Sequence, residues 1–500
     1  MHRKINTILY LLFVSVLALS VGCSPAPSEK SAEPDGRFDE LFRPQYHFSP
    51  PSQWMNDPNG MVYHAGEYHL FYQHYPDSNV WGAMHWGHAV SEDLVHWEHL
   101  PIAIAPDSLG WIFSGSAVLD ETNSSGLGTA DNPPLVAIYT YHDPVGAEAG
   151  REDYQTQGIA YSTDGGRNWT KYAGNPVLEN PGIRDFRDPK VAWIGERWIM
   201  SLAVKDRIRF YSSDNLLEWT YESDFQPEWA AYGGVWECPD LFPLTTPEGE
   251  EKWILFVSIN PGGPNGGSAT QYFVGDFDGS TFTSESDQVK WLDYGADNYA
   301  GVTWSNVPKS DGRRLFIGWM SNWTYANVVP TENWRSANTL PRELALVRQG
   351  ETYRVRSSPV AELEKLRKSS STKEGDSWAI DAELSELLLF PEAGDFSLEL
   401  SNDTGERIIL AKKGDQLTFD RSQSGITGFS EAFTALHTAP LHGMEVNELR
   451  VFLDRSSVEI FVNQGALVLS EIVFPEQPYS RIRLTGFKSS HQVHELASIW

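Results

Sequence analysis

Five segments of one kind recur between residues 57 and 304, each a polar or small head running directly into strand-forming residues. They are Asp57-Pro58-Asn59-Gly60-Met61-Val62-Tyr63, Ser114-Gly115-Ser116-Ala117-Val118-Leu119, Asp188-Pro189-Lys190-Val191-Ala192-Trp193-Ile194, Glu237-Cys238-Pro239-Asp240-Leu241-Phe242 and Ala300-Gly301-Val302-Thr303-Trp304. Their heads stand 57, 74, 49 and 63 residues apart, a little more than the usual length of a four-stranded propeller blade. As the innermost strands of five blades, they would carry their heads to one end of a common axis. Three of those heads are acids, Asp57, Asp188 and Glu237, and one funnel would collect them.

A second phrase recurs with the first: Ser91-Glu92-Asp93-Leu94-Val95-His96-Trp97, Ser162-Thr163-Asp164-Gly165-Gly166-Arg167-Asn168-Trp169 and Ser212-Ser213-Asp214-Asn215-Leu216-Leu217-Glu218-Trp219, with a weaker copy at Asp276-Phe277-Asp278-Gly279-Ser280-Thr281-Phe282. Each is an Asp-led turn ending on an aromatic that can plug between sheets. Short strand-like runs separated by Gly, Asn, Asp and Pro fill residues 41–345 without long helical periodicity, so this part reads as all-β.

Each acid has turn-forming or aromatic neighbours. Asp57 lies between Trp54-Met55-Asn56 and Pro58-Asn59-Gly60, Asp188 within Phe186-Arg187-Asp188-Pro189, and Glu237 within Val235-Trp236-Glu237-Cys238-Pro239-Asp240. Half-desolvated carboxyls on rigid turns suit glycosidic bond chemistry, which needs one ionised and one protonated acid. Trp236 and the neighbouring carboxylates are expected to raise the pKa of Glu237. Arg187 is expected to hold Asp188 ionised and to donate paired hydrogen bonds to sugar hydroxyls.

The N-terminus reads as an export signal over residues 1–22: Arg3 and Lys4, an apolar run from Ile8 to Leu19, then Ser20-Val21-Gly22. Small residues before Cys23 resemble a bacterial lipobox, with Ser20 where Leu is usual, so Cys23 is expected to be lipidated and to anchor the chain at the periplasmic or outer face of a membrane. The Pro, Ser and Glu residues up to about residue 40 make a tether. The other cysteine is Cys238, which leaves a lipidated chain one free thiol. A net charge of −29 argues against nucleic acid as a partner. The 19 Trp and 20 Tyr offer faces on which sugar rings stack. No cofactor is expected. His85, His88, His96 and His99 lie on strand-like sequence, which does not present them together to a metal.

Val360, Leu363 and Leu366 are spaced as one face of a short helix after Ser358-Pro359, so residues 346–370 are expected to link two domains. From 371 to 500, alternation at Phe396, Leu398 and Leu400, at Leu449, Val451 and Leu453, and at Val458, Ile460 and Val462 predicts an antiparallel β-sandwich.

With these motifs the chain resembles glycoside hydrolase family 32, the β-fructosidases. The resemblance extends to Phe113-Ser114-Gly115-Ser116, Gln271-Tyr272-Phe273-Val274-Gly275-Asp276-Phe277-Asp278-Gly279, Gly318-Trp319-Met320-Ser321-Asn322-Trp323, Trp334-Arg335-Ser336 and Pro341-Arg342-Glu343-Leu344, the last three particularly like bacterial levanases. It implies a five-bladed β-propeller followed by a β-sandwich. It also implies retaining hydrolysis, with Asp57 as nucleophile, Glu237 as acid/base and Asp188 as transition-state stabiliser. Positions that would line the pocket for one terminal fructosyl unit are Trp54, Asn56, Gln73, Trp81, Phe113, Ser114 and Trp319. The implied substrates are levan, inulin and sucrose, taken from the chain end. A sucrose-preferring invertase, a fructosyltransferase and a non-catalytic fructan-binding lipoprotein are the competing readings.

Overall fold

Short strand-forming runs pair here into seven antiparallel-dominated sheets, among the described residues 38–500 of the computed structural model. Five of the sheets are the blades of a β-propeller and two form a C-terminal β-sandwich. The expected signal segment and the lipidation of Cys23 lie outside the described residues, as does nearly all of the tether.

The five predicted segments lie in the innermost strands, Gln53–His64, Trp111–Leu119, Phe186–Ile194, Val235–Thr245 and Tyr299–Thr303. Neighbouring inner strands touch in cyclic order, the fifth returning to the first. The ring is closed by Trp334–Arg335, which follows the first two strands of blade five and pairs in parallel with Gln53 and Trp54 of blade one. Apolar clusters fill the spaces between blades, for example Phe186, Val191, Met200 and Leu202 against Val136 and Ile138, because strands buried on both faces must be apolar on both.

The Asp-led turns join the third and fourth strands of blades one to four. Asp93 Oδ1 accepts from the Val95 and His96 amides, and the Trp97 indole donates back to the Leu94 carbonyl at 3.1 Å. Asp164 and Trp169 repeat this closure. In the third copy Asn215, not Asp214, accepts the amides of Leu217 and Glu218, while Trp219 donates to Leu216. The side chain that shapes the turn thus stands four residues before the aromatic in the first and third copies and five before it in the second.

The domain boundary differs from expectation. Residues 346–359 are not linker: Arg342–Gln349 and Thr352–Pro359 form the outer hairpin of blade five, turning at Gly350, whose φ is +60°. Leu344 and Leu346 face Tyr353 and Val355 in the cluster shared with blade four, a period-two signal present in the sequence. The short helix is a 3₁₀ turn, Ala361–Leu366, with Val360 at its cap. Val360, Leu363 and Leu366 are buried as one face. The sandwich begins at Arg367, where two six-stranded sheets enclose an aliphatic core.

Buried ion pairs tie the two domains. Asp293, before blade five, accepts from Arg342 at 3.1 Å and from Ser470 of the sandwich at 2.7 Å, and Arg342 also donates to Glu459 at 2.6 Å. Asp297 accepts from Arg421 at 2.6 Å. Residues from 41 to the first blade strand, expected to belong to the propeller, bond to both domains: His47 bridges Asp454 and Glu459 of the sandwich at 2.7 and 3.0 Å, while the Phe48 carbonyl accepts from the Asn338 amide of blade five at 2.8 Å and its ring packs on Tyr72 and Trp97 of blade one. Broken pairs of this kind leave an uncompensated buried charge, so each member depends on the others.

Candidate active site

All five inner strands carry the same irregularity near their heads. Two residues of the inner strand face one of its partner at Asn56-Asp57, Phe113-Ser114, Asp188-Pro189, Cys238-Pro239 and Ala300-Gly301. Such a bulge unpairs backbone, bends the strand and re-aims side chains. Asp188, Cys238 and Ala300, the first residues of their bulges, have φ of +64°, +46° and +52°, strained values for residues with a side chain.

The bulges also correct the alignment of the repeat. Asp57 is the second residue of its bulge, Asp188 the first, and Glu237 stands one place before. The residue before the bulge is Arg187 in blade three, Glu237 in blade four and Tyr299 in blade five. This shared register makes the three side chains lateral neighbours: Arg187 donates to Glu237 Oε1 through Nε at 3.1 Å and Nη2 at 3.0 Å, and the Tyr299 hydroxyl donates to Oε2.

The three predicted acids therefore meet. Asp57 accepts from Asn56 Nδ2 at 2.9 Å and from Ser114 Oγ at 2.6 Å. Asp188 Oδ2 accepts the Cys238 amide at 3.1 Å. The Cys238 thiol lies 3.6 Å from Asp57 Oδ2 and 3.7 Å from Asp188 Oδ2, so one sulfur touches both carboxyls.

Burial pulls the Asp57 carboxyl above its ordinary range, with the charge of Glu237 adding to it, while the bonds from Ser114 and Asn56 work the other way. Asp188 is pushed up to about 7, first by burial; Arg187 opposes this, and the charges of Glu237 and Asp57 reinforce it. Crowded buried carboxyls resist ionising together.

Two expectations about the neighbours change. Arg187 serves Glu237, and through Nη1 it reaches Asp185 at 2.6 Å, so its hydrogen bonds do not go to Asp188. Trp236 is fully buried among blade cores, with its ring on Tyr232, because alternate residues of a strand face opposite sides. The groups on the Glu237 carboxyl are Arg187 and Tyr299.

Of the other predicted pocket positions, Asn56 and Ser114 bond Asp57 directly. The Trp54 indole donates to Asn56 Oδ1 at 2.7 Å, completing a relay to Asp57. Gln73 Nε2 is committed to Asn59 and to the Ile112 carbonyl. Trp54 and Trp319 are fully buried, packed on each other and on Trp323. The Trp319 indole nitrogen has no hydrogen-bond partner among the described residues.

Exposed aromatic surface comes from Trp81, 38% exposed, edge-on to Phe113. Phe113 stacks flat on His142 at 4.3 Å. Burial, with help from the Arg187 charge, lowers His142 to about 4, so that ring is neutral. Tyr299, Cys238, Asp185 and His142 were not singled out as site residues. Tyr299 and Cys238 directly adjoin recognised heads, a signal available in the sequence, whereas His142 carried none.

The arrangement offers a carboxyl fixed by two donors, a second carboxyl held between a guanidinium and a phenol, and a third beside both. Comparisons with known proteins agree with that chemistry. The chain matches the glycosyl hydrolases family 32 N-terminal domain over residues 47–359 and the glycosyl hydrolases family 32 C terminal over residues 343–500. It is 46% identical to a levanase of Bacillus subtilis, over 98% of this chain and 74% of that protein. The crystal structure of an exo-inulinase from Aspergillus awamori superposes with a TM-score of 0.85 at 37% identity, covering 93% of this chain and all of the other. A β-fructofuranosidase from Schwanniomyces occidentalis, complexed with fructosyl-erythritol, gives 0.83 at 31% identity, covering 92% of this chain and 99% of the other.

Proposed function

The chain belongs to glycosyl hydrolases family 32, and from that premise we propose that it removes terminal β-D-fructofuranosyl units from levan and inulin, and from sucrose, with net retention. Asp57 attacks the anomeric carbon while Glu237 protonates the departing oxygen. The fructosyl ester on Asp57 is then cleaved by water, from which Glu237 takes a proton. Asp188 accepts hydrogen bonds from fructose hydroxyls, and does so best when ionised.

The observation that carries this reading is the convergence of Asp57, Asp188 and Glu237, from three different blades, around the Cys238 thiol and the Arg187 guanidinium. Ser114 and Asn56 fix Asp57 with one carboxylate face committed to each. Trp81 and Phe113 supply the exposed aromatic wall for a sugar ring.

Export with anchoring through Cys23 belongs to the same proposal. Its support is the sequence of residues 1–23, together with relatives described as extracellular.

The test is to incubate the purified protein and its Asp57→Asn variant separately with levan, inulin and sucrose, and to chromatograph the products over time. Free fructose from the native chain and none above background from the variant is the expected result. Undiminished release by the variant would remove Asp57 from the mechanism, and a ladder of oligomers would replace end-wise attack by internal cleavage.

A further inference from the structure

His142 ends the second strand of blade two, Leu135–His142. Register sets it between Gln155 of the third strand and Trp111 of the innermost one, just before the Ser114 head. Its ring lies flat on Phe113 at 4.3 Å and stacks on Trp111 at 5.5 Å. Phe113 immediately precedes Ser114, which donates to Asp57. The imidazole is therefore part of the wall on the nucleophile's side.

His142 also adjoins the supports of the acid. Tyr154 stands edge-on to it at 5.3 Å and donates its hydroxyl to Asp185 at 3.3 Å, and Asp185 accepts from Arg187, which clamps Glu237. The charges acting on the imidazole are those of Arg187, Asp143 and Asp185. A ring between the nucleophile's wall and the proton donor's clamp borders the space into which a protonated leaving group departs.

Hydrogen bonding fixes which nitrogen of the ring carries the proton. Gln155 is buried and its Oε1 accepts the Phe186 amide at 2.9 Å, so its Nε2 is the atom that meets His142 Nδ1, at 3.3 Å. Only a bare ring nitrogen can receive an amide N–H, so Nδ1 holds a lone pair and the proton is on Nε2. Burial, which keeps the imidazole neutral by lowering it to about 4, agrees with that tautomer. The ring is half-buried, and no group among the described residues accepts from Nε2. One uncharged donor is left over on an aromatic wall.

We propose that His142 is a specificity-determining residue, whose Nε2–H donates to a hydroxyl of the sugar unit on the leaving side of the scissile bond. The proposal rests on the fructan reading above and deepens it by naming a contact for the second unit. A neutral donor suits a hydroxyl oxygen and adds no charge beside Glu237. A leaving group without hydroxyls gains nothing from it, because the N–H then stays with water.

Two variants test it. His142→Phe keeps a flat ring against Phe113 and Trp111 but has no N–H, whereas His142→Gln gives up the ring and keeps an amide N–H of similar reach. Thermal melts establish that both are folded. Steady-state kinetics are measured on sucrose, levan and inulin, and on a nitrophenyl β-fructofuranoside, whose leaving group carries no sugar hydroxyl.

The expected result for His142→Phe is a KM raised roughly 3- to 10-fold for at least one of the three carbohydrates, with kcat unchanged and native constants on the aryl substrate. His142→Gln should bring that KM back toward the native value. The carbohydrate affected identifies the leaving unit that His142 contacts. Native KM on all three in His142→Phe would overturn the proposal, as would an equal rise on the aryl substrate, which would put the ring in the fructosyl pocket. So would a fall in kcat with KM unmoved, the mark of a disturbed Glu237 clamp, or a Gln variant no better than the Phe variant. Failure of the parent reading looks different: the native protein would cleave none of the four substrates.

Discussion

Arg187 donates twice to a single oxygen of Glu237, at 3.1 and 3.0 Å, and Tyr299 donates to the other. The three residues hold the same position relative to the bulge on consecutive blades. The acid is thus oriented by the ring itself and not by its own strand. A carboxyl clamped on both oxygens can turn little, which is what a proton donor aimed at one glycosidic oxygen needs.

Tyr299→Phe removes one clamp and leaves the ring in place. A buried hydrogen bond to a charged group is worth about 1.5 to 3 kcal/mol, so kcat/KM on inulin and sucrose should fall by roughly 10- to 100-fold, with the melting temperature shifted far less. Unaltered kinetics would show that Arg187 alone orients Glu237.

Glu237→Gln keeps the shape but cannot donate and regain a proton. Hydrolysis of levan should drop by about 10² to 10⁴, the usual worth of a general acid. Cleavage of an aryl β-fructofuranoside, whose leaving group departs without a proton, should suffer much less in the burst that forms the fructosyl ester. Equal losses on both substrates in that burst would contradict the acid role.

Asp188 opposes the usual carboxylate pattern, because its folded pKa is raised from 3.8 to about 7, first by burial. The folded state then binds more protons than the unfolded state between those limits, so this group costs stability progressively as pH rises from about 4 to about 7. Asp188→Asn should melt higher than the native chain at pH 7.5, lose that advantage near pH 4, and be catalytically impaired at both. A lower melting temperature for the variant at pH 7.5 would refute this.

His47 carries the opposite sign. Burial alone would lower its pKa, but hydrogen bonds and ionic contacts with Asp454 and Glu459 outweigh it and raise the pKa from 6.5 to about 9. Its contribution is complete below about 6.5 and is lost as pH climbs through about 9. The difference in melting temperature between the native chain and His47→Gln should therefore be widest near pH 6 and narrow by pH 9.5. A gap independent of pH would mean that His47 acts through packing alone.

Much of the site was legible along the chain, since inner strands and Asp-led turns are local features. Asp57, Asp188 and Glu237 each stand at the head of a strand whose apolar run follows at once, and Asp93 and Asp164 close turns with residues only two to four places away. The outer hairpin of blade five was legible too, in the alternation of Leu344 and Leu346 with Tyr353 and Val355, but the Pro and helix-like spacing that follow it drew the boundary too early.

The sequence by itself determined which residues could be the innermost strands and which carboxyls would stand at their heads, because strand propensity, turn chemistry and a repeat of about 60 residues are written in consecutive positions. Only the tertiary structure decided that Arg187 hydrogen-bonds Glu237 and not the adjacent Asp188, that Tyr299 completes the clamp, and that Cys238 touches two carboxyls at once. Those contacts follow from how bulged strands align across the ring. That alignment is set by packing between blades some 50 or more residues apart, where no local pattern records which side chain will face which.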